Sequence, residues 1–269
     1  MEEKIKKFQG KEVKLEYLLT GEDNEETIVF VHGAGLNLRQ FLSQHEYFSN
    51  KYRVLSLSLR GHGNSQRPRE ETLEAFSMKK HANDFKELLE YLGIDRFHYV
   101  GNSAGGMLGY QLIAEKPEWF MTITTYGTAP EIRLRDWQIK LVVAMDKIMG
   151  KIMRKAYMKF MSNAITKHEH TRKQLLSLFM AGDKDTAWRF RSQLGNYSYL
   201  SVMKNINIPA LIINGEWDKE IAKYLEAASK TIEKNPCFSL TILDDAGHVA
   251  NIDKPIEFNQ VVEEHIQKT

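Results

Sequence analysis

The sequence is poor in cysteine and has no long apolar run. Its 269 residues include one cysteine, Cys237, so no disulfide can form within the chain, and a reducing compartment is expected. No apolar run approaches the roughly 18 residues that a membrane-spanning helix needs. The opening residues, MEEKIKKFQG, lack the apolar stretch of a secretory signal. We therefore expect a cytoplasmic protein without a transmembrane segment.

The chain also lacks a strong excess of either charge. A net charge of +2 offers no general argument for binding nucleic acid. The charge is unevenly spread, because residues 131–204 carry 15 Lys and Arg against 6 Asp and Glu, a net +9 in an otherwise acidic chain. Such a segment favours anionic substrates or weak association with an anionic surface. The simpler interpretation is that these charges form the solvated faces of ordinary helices.

Runs typical of strands alternate with runs typical of helices along most of the chain. This alternation predicts an α/β domain with a parallel sheet covered by helices on both faces, and ligands of such sheets bind where the strands end. The strand-like runs are EVKLEYLLTG, TIVFVHG, YRVLSLSLRGHG, RFHYVGNS, MTITTYGTAP, PALIINGEWD and FSLTILDDAGH, and the helix-like runs are HANDFKELLEYLG, AGGMLGYQLIAEKP, IAKYLEAASKTI and PIEFNQVVEEHI.

The pattern within these runs indicates how deeply each element is buried. TIVFV and PALII are almost continuously apolar, which predicts central strands covered on both faces. EVKLEYLLTG places Val13, Leu15, Tyr17 and Leu19 at alternate positions, which predicts a half-exposed strand. HANDFKELLEYLG has helical spacing and should end at Gly93.

Residues 131–204, called the inserted segment below, interrupt the alternation. They are helical in pattern and hold seven of the eleven methionines. Because they lie between two core strands, we predict a helical cap over one end of the sheet, between core residues 1–130 and 205–269. An apolar face on this cap would line a pocket, and methionines there would tolerate varied apolar ligands. An ordinary helical core is the simpler interpretation for any single methionine. The apolar residues that recur at helical spacing in this segment are Leu141, Met145, Ile148, Met149, Ile152 and Met153.

One serine lies among small residues where a strand becomes a helix. Gly101 to Gly105 reads GNSAG and fits the pattern G-x-S-x-G, which alone is also compatible with a simple glycine turn. With a strand before it and a helix after it, the motif predicts a nucleophile elbow with Ser103 at its tip. Side chains two residues to either side would collide with neighbouring backbone, which explains the glycines. The helix N-terminus would help to stabilise negative charge.

A serine nucleophile needs a base, and the base needs a carboxylate that orients it. In this topology the chain order is serine, acid, histidine, which selects His248 in the loop after the last strand. His32 and His62 precede the serine and are in the wrong order. His168 and His170 lack a third ligand-like neighbour, so we interpret them as surface residues and predict no metal site.

The acid should follow the next-to-last strand. Asp218, three residues after Gly215, is the preferred candidate, and Glu216 is the fallback. Asp244 and Asp245 come just before His248 and are interpreted as turn residues.

Acyl transfer also needs donors for the oxyanion. One donor should be the N–H of Ala104, directly after the nucleophile. The other should come from the small residues after TIVFVHG, and Ala34 is the preferred choice.

Together the motifs FVHGAG, LRGHGNS, VGNSAGG, NGEWD and AGHVANIDKP resemble the α/β-hydrolase superfamily, in order and at the usual spacings. The resemblance covers nearly all of the chain outside the inserted segment. It implies a mostly parallel eight-stranded sheet, a helical cap inserted after the sixth strand, and a Ser103, His248 and Asp218 triad. One departure is Ser58, where the family often has Asp; that position is structural, so catalysis is not put in doubt.

The predicted function is hydrolysis of carboxylic esters with small to medium apolar acyl groups, through an acyl-enzyme. The base His248 should lose activity near or below pH 6.5 unless its surroundings shift its pKa. The elbow also resembles those of lactonases and of meta-cleavage product hydrolases, which cut carbon–carbon bonds; the latter typically have Trp where this chain has Val249. A thioesterase or transferase, and a non-catalytic ligand receptor on the same scaffold, remain alternatives.

The expected ligand is a small-molecule ester, with no organic cofactor and no nucleic-acid partner. The basic cap allows weak association with a surface, and the chain is expected as a monomer or a homodimer. Specificity is the least determined property. The residues considered as lining the substrate pocket are Gly33, Asn102, Trp137, Trp188, Trp217 and Val249.

Overall fold

The computed structural model describes residues 1–268 and contains ten strands and eleven α-helices within them. The strands are β1 (Lys6–Gln9), β2 (Lys14–Thr20), β3 (Thr27–Val31), β4 (Arg53–Leu57), β5 (Phe97–Asn102), β6 (Phe120–Tyr126), β7 (Glu131–Arg133), β8 (Asn196–Ser198), β9 (Ala210–Gly215) and β10 (Phe238–Leu243). The helices are α1 (Leu42–Phe48), α2 (Met78–Leu92), α3 (Ala104–Glu115), α4 (Asp136–Ile152), α5 (Arg154–Ile165), α6 (Glu169–Ala181), α7 (Lys184–Arg191), α8 (Leu200–Asn205), α9 (Lys219–Ile232), α10 (Ala250–Asp253) and α11 (Pro255–Ile266).

Eight of the strands form one sheet in the order β1-β2-β4-β3-β5-β6-β9-β10. The two pairings that involve β2 are antiparallel and the others are parallel, so the predicted mostly parallel eight-stranded sheet is confirmed. The strands β3, β5, β6, β9 and β10 are successive neighbours. The loops that follow these five strands therefore open at one edge of the sheet, where ligands of such sheets bind.

Alternate residues of the central strands pack on opposite faces of the sheet. Val29 and Val31 of β3 belong to a core cluster with residues of α2 and α3, whereas Ile28 and Phe30 belong to a second cluster with residues of α1 and α11. All five residues of β3 and all six of β9 are buried, as the sequence pattern predicted. Helix α2 ends at Gly93, whose φ of 62° is the left-handed conformation that favours glycine at this position.

Strand β2 is more deeply buried than its alternating pattern predicted. Both its faces are covered, and Glu16, on the face expected to meet solvent, is only 1% exposed. Its carboxylate accepts hydrogen bonds from the Ser58 hydroxyl (2.7 Å) and the Asn64 backbone N–H (2.9 Å), and it pairs with Arg39 (3.0 Å). Glu16 therefore supplies a buried carboxylate beside Ser58, where the superfamily often has Asp.

The inserted segment follows β6, the sixth strand in chain order, as expected. Besides helices it contains β7 and β8, which pair antiparallel as a separate small sheet that the sequence pattern did not indicate. Helix α8, at the end of the inserted segment, contributes Met203 to the core cluster that also contains Val29 and Val31. No helix within residues 1–268 combines the length and the apolar character needed to cross a membrane.

The apolar stripe of α4 does not face inward. Leu141, Met145, Ile148, Ile152 and the following Met153 are exposed, and Met149 is half-buried. The opposite face of α4 lines the cavity described below. The stripe therefore forms neither a helical core nor the inner face of a cap. Helical spacing identifies residues that share a face but not the direction of that face.

Candidate active site

Ser103 occupies a strained turn between a strand and a helix. Strand β5 ends at Asn102 and α3 begins at Ala104, with Ser103 between them at φ 50° and ψ −113°. Within the described residues, Asp245 is the only other non-glycine residue with positive φ. Such a conformation costs about 1–3 kcal/mol and persists where surrounding structure holds it. The backbone N–H of Ser103 donates to the Tyr126 carbonyl at 2.8 Å and ties this turn to β6.

The glycines of the turn have the steric role that the motif predicted. A Cβ atom on Gly101 would lie 2.6 Å from the Gly105 carbonyl oxygen, and one on Gly105 would lie 2.2 Å from the Val31 carbonyl oxygen. A Cβ atom on Gly33 would lie 3.2 Å from the Cβ of Ser103. A side chain at Gly105 would push the turn away from β3, and side chains at Gly101 or Gly33 would press on α3 or on Ser103, so glycine allows the close approach.

His248 and Asp218 are brought together from neighbouring loops. Nδ1 of His248 lies 2.7 Å from Oδ2 of Asp218. Asp218 is the N-cap of α9, and its other carboxylate oxygen faces the Ile221 backbone N–H at 3.5 Å. Glu216, the fallback acid, is exposed and accepts a hydrogen bond from the backbone N–H of Asp245 at 2.9 Å. The geometry thus favours Asp218 and gives Glu216 a role in shaping the turn.

Two opposing effects set the pKa of His248. Burial disfavours the charged imidazolium and by itself lowers the pKa, but the charge and hydrogen bond of Asp218 outweigh it. The pKa of His248 is therefore raised above its ordinary value, with the positive charge of Arg191 opposing the rise. The sequence had suggested a value near or below 6.5 in the absence of such a shift.

These residues surround one cavity of about 690 Å³. Ser103, Asp218 and His248 all line it. The loop after β3 contributes Gly33 and Ala34 to the same wall. The three side chains selected from the sequence therefore line one cavity, at the edge of the sheet where ligands were expected.

The inserted segment provides most of the remaining wall. Met158 and Met161 of α5 line the cavity. Methionines therefore do contribute to its wall, but they come from α5 and not from α4. The wall also includes a buried polar group, in which Asp146 accepts hydrogen bonds from Tyr157 and Arg191. Further apolar lining residues are Ile132, Leu134, Val142, Ile165, Phe179 and Leu194.

The aromatic and apolar pocket candidates divide into two groups. Trp188 and Trp217 line the cavity, as does Val249, which also packs in a buried cluster with Leu36. Trp137 does not line it, because this residue lies near the start of α4 with its side chain 59% exposed. The structure therefore separates Trp137 from the other candidates.

The two oxyanion candidates lie on either side of the turn. Ala104 is the first residue of α3, so its N–H has no acceptor within the helix. Ala34 lies in a tight turn closed by the Leu36 N–H, which donates to the Gly33 carbonyl at 3.1 Å. The φ of 80° at Gly35 in this turn requires glycine. Ala34 lines the cavity, whereas Ala104 is buried and is not among the lining residues.

Asn102 lies at the centre of a buried network of amide side chains that the sequence pattern did not reveal. Its Nδ2 donates to the backbone carbonyl of His248 at 3.0 Å, and its Oδ1 accepts from Gln40 at 3.0 Å. Gln40 also donates to Asn251 at 3.1 Å, and Asn251 donates back to the Gln40 carbonyl. The residue before Ser103 is therefore bonded to the loop that carries His248. Gly127 permits this packing, since a Cβ there would lie 2.6 Å from the His248 carbonyl oxygen.

Other polar residues at strand ends have structural partners. His32 accepts from the Leu59 N–H at 3.0 Å, and its burial holds its pKa well below the ordinary value. Burial also lowers the pKa of His62 to about 4. Arg60 is held by Asp84 through two contacts of 2.7 Å. His170 is exposed and His168 is half-buried, with its Nε2 2.8 Å from the Asp245 carbonyl oxygen; within residues 1–268 no cluster of three metal-binding side chains occurs.

Comparison with known proteins agrees with this architecture. The family model for the alpha/beta hydrolase fold matches residues 26–168, more than half of the chain. This chain belongs to the α/β-hydrolase family. The match covers the turn at Ser103 and the loop after β3, and the described α/β-hydrolase sheet places the remaining site residues after β9 and β10.

Individual relatives are more distant. 3-Oxoadipate enol-lactonase 2 of Acinetobacter baylyi is 25% identical over 94% of this chain and 93% of its own length. An esterase from Thermogutta terrifontis superposes with a TM-score of 0.84 at 18% identity, over 98% of both chains. The enol-lactonase of Burkholderia xenovorans LB400 gives 0.78 at 19% identity, over 95% of this chain and 97% of its own. At these identities the solved structures show a shared α/β-hydrolase fold.

Proposed function

We propose that this α/β-hydrolase cleaves carboxylic esters with Ser103 as nucleophile, His248 as base and Asp218 as the group that orients the base. The observation that carries the proposal is the 2.7 Å contact between His248 and Asp218 at the wall of the cavity that also contains Ser103. A serine hydroxyl is a poor nucleophile until a base removes its proton. Here the imidazole that can do so has one nitrogen held by a carboxylate, which leaves Nε2 for the serine.

The first half of the reaction forms an acyl-enzyme. Nε2 of His248 takes the proton of the Ser103 hydroxyl while Oγ attacks the ester carbonyl carbon. The carbonyl oxygen gains the negative charge and accepts hydrogen bonds from the N–H groups of Ala34 and Ala104. When the tetrahedral intermediate collapses, the bond to the alcohol oxygen breaks and His248 returns the proton to that alcohol.

The second half consumes water. His248 removes a proton from the water that attacks the acyl carbon, and the same two N–H groups hold the second oxyanion. Collapse releases the carboxylic acid and returns the proton to Oγ of Ser103. Asp218 stabilises the imidazolium that forms in each half-reaction, and its hydrogen bond fixes which ring nitrogen carries the proton in the resting state.

The cavity walls suggest the class of acyl group. A volume of about 690 Å³ is within the range of small-molecule sites, and more of the lining is apolar than polar. Met158, Met161 and Phe179 offer flexible or flat apolar contacts. We expect a broad preference for small to medium apolar acyl chains, and a strict requirement for acetyl would contradict this part of the proposal.

Lactone hydrolysis is the second candidate, because a lactone is a cyclic ester and follows the same two half-reactions. The observation that favours it is the 25% identity to a 3-oxoadipate enol-lactonase along nearly the whole of both chains. Ring opening differs only in that the alcohol stays attached to the acyl group.

A substrate panel tests these candidates together. Rates should be measured for p-nitrophenyl esters of increasing chain length, for a series of γ-lactones and for a meta-cleavage product. Ester or lactone hydrolysis should be lost in Ser103→Ala and retained in Ser229→Ala, a matched change near the C-terminal end of α9 and outside the cavity lining. Equal rates in wild type and Ser103→Ala would contradict the proposal, and binding of these compounds without turnover would indicate a ligand receptor.

A further inference from the structure

Helix α4 exposes a continuous apolar face. Five large apolar residues form this face. They are between 46% and 72% exposed and recur at spacings of three and four residues. At 3.6 residues per turn they fall within an arc of about 80° on the helix surface. We call this surface the α4 face. It consists of Trp137, Leu141, Met145, Ile148 and Ile152.

Lysines flank the α4 face along one side. Lys140, Lys147 and Lys151 are exposed and lie within about 80° of its edge at the same helical periodicity. Lys147 also lies over the ring of Trp188, with Nζ 5.2 Å from the ring centroid. The following helix α5 adds the exposed Lys155.

Acidic side chains do not balance this charge. Between Trp137 and Lys167 the sequence has seven Lys and Arg and a single acidic residue, Asp146. Asp146 is buried on the opposite side of α4, where it lines the cavity and bonds Tyr157 and Arg191. The exposed acidic residue on the helix is Asp136 at its first position. The α4 face is therefore an apolar surface with positive charge along its flank.

We propose that the α4 face docks this protein on the surface of a bilayer that contains anionic phospholipid. An amphipathic helix with large apolar side chains on one face and lysines beside them lies in the membrane interface. Its apolar residues then enter the acyl boundary and its lysines remain at the headgroups. Apolar burial and attraction to anionic headgroups act together in this arrangement, and each lysine near the surface contributes to binding.

The charge distribution favours lipid over a second copy of the chain. In a symmetric dimer through the α4 face, the basic surroundings of one copy would meet the same basic surroundings of the other. Within residues 137–167 no exposed acidic side chain would compensate. An anionic bilayer supplies the opposite charge along the whole flank.

Docking through the α4 face would also put the cavity wall next to the bilayer. Val142, Asp146 and Gly150 on the opposite side of the same helix line the cavity. The inference does not depend on the proposed chemistry, because it concerns a surface outside the cavity.

Sedimentation with vesicles tests the proposal. The full chain should pellet with vesicles of phosphatidylglycerol and remain in solution with vesicles of phosphatidylcholine, and added salt should weaken the binding. The double variant Ile148→Glu, Ile152→Glu should abolish pelleting. The double variant Lys140→Gln, Lys151→Gln should weaken partitioning about fivefold for each lysine. Ile256→Glu on α11, an exposed apolar residue at 64% outside the inserted segment, is the matched control and should bind as wild type does.

Unfolding temperatures measured without vesicles should be equal for all variants, since every substituted side chain is exposed. Three results would overturn the proposal. The first is wild-type protein that stays in solution with phosphatidylglycerol vesicles, and the second is pelleting that Ile148→Glu, Ile152→Glu leaves unchanged. The third is a dimer in light scattering that the same double variant converts to monomer, which would make the α4 face a contact between copies.

Discussion

The side-chain amide of Asn102 donates a hydrogen bond of 3.0 Å to the backbone carbonyl of His248. The residue directly before Ser103 therefore holds the loop that carries the candidate base. Gln40 supports the same amide at 3.0 Å, and Asn251, three residues after His248, bonds Gln40 in turn. This buried network fixes the two loops relative to each other, so we assign Asn102 a positioning role.

Replacing Asn102 with Ala should lower kcat more than it raises KM. The change frees the His248 carbonyl and removes one of the acceptors of Gln40, so the imidazole would be held less well at its position. A displacement of about 1 Å at a reacting group can cost on the order of 10²-fold in rate. The unfolding free energy should also fall by about 1–3 kcal/mol.

The matched control for this variant is Asn235→Ala. Asn235 also donates from Nδ2 to backbone carbonyls, those of Met203 and Ile206, but it does not line the cavity. It should lose stability and keep its kcat. If both variants lost stability alone, with kcat unchanged in each, Asn102 would have only a structural role.

The acid limb of the kcat/KM profile should lie above pH 6.5. A general base must be neutral, and the Asp218 carboxylate raises the pKa of His248, so activity is lost as pH falls through that raised pKa. Asp218→Asn removes this charge and should move the limb to lower pH, with a loss in kcat of about 10⁴-fold. The negative charge of Glu220 also raises the pKa of His248, but less than Asp218 does. Glu220→Gln should therefore move the acid limb to lower pH by a smaller amount.

This prediction is checked by measuring kcat/KM for a neutral ester between acidic and alkaline pH. A wild-type limb at or below pH 6.5 would contradict it. So would an Asp218→Asn limb at the wild-type position.

Adding one methyl group to the turn should be strongly destabilising. A Cβ on Gly105 would lie 2.2 Å from the Val31 carbonyl oxygen, and neither backbone can move without disturbing β3 or α3. We expect Gly105→Ala to lower the unfolding free energy by about 3 kcal/mol. Gly150→Ala is the contrast, because it has open space around it within α4 and should raise stability by about 0.5–1 kcal/mol. Denaturant unfolding of both variants measures the difference.

The pair between Arg60 and Asp84 should support the fold without supporting catalysis. Both side chains are buried, with contacts of 2.7 Å between them, and neither lines the cavity. Asp84→Ala leaves a buried guanidinium without its main partner and should cost about 3–5 kcal/mol. At a temperature where the variant remains folded, its kcat should match that of wild type. A large fall in kcat in the folded variant would show that Arg60 acts on the site.

The sequence predicted the parts of the fold that depend on strong local patterns. Seven strands of the main sheet follow apolar runs, and Gly93 ends α2 where expected. Strand β1 was not indicated, because KKFQ is a mostly exposed edge strand with little apolar content. The burial of Glu16 in β2 was missed since its partners Ser58 and Asn64 come from distant parts of the chain.

The candidate site divides in the same way. The turn at Ser103 and the order of Asp218 and His248 can be read along the chain, since each follows a strand. The contact of Asn102 with His248 joins residues 146 positions apart and has no local signal. The local sequence pattern also could not predict whether the apolar stripe of α4 faces inward or outward, because its periodicity is the same in both cases.

The central claim, that Ser103 becomes acylated, is tested most directly by mass spectrometry of the protein. Wild-type protein is mixed with p-nitrophenyl butyrate and quenched in acid during the first turnover. We expect the added mass of one butyryl group on the peptide that contains Ser103, with a matching burst of p-nitrophenol, and neither in Ser103→Ala. Turnover at the wild-type rate in Ser103→Ala, with no acylated Ser103 peptide in wild type, would contradict it.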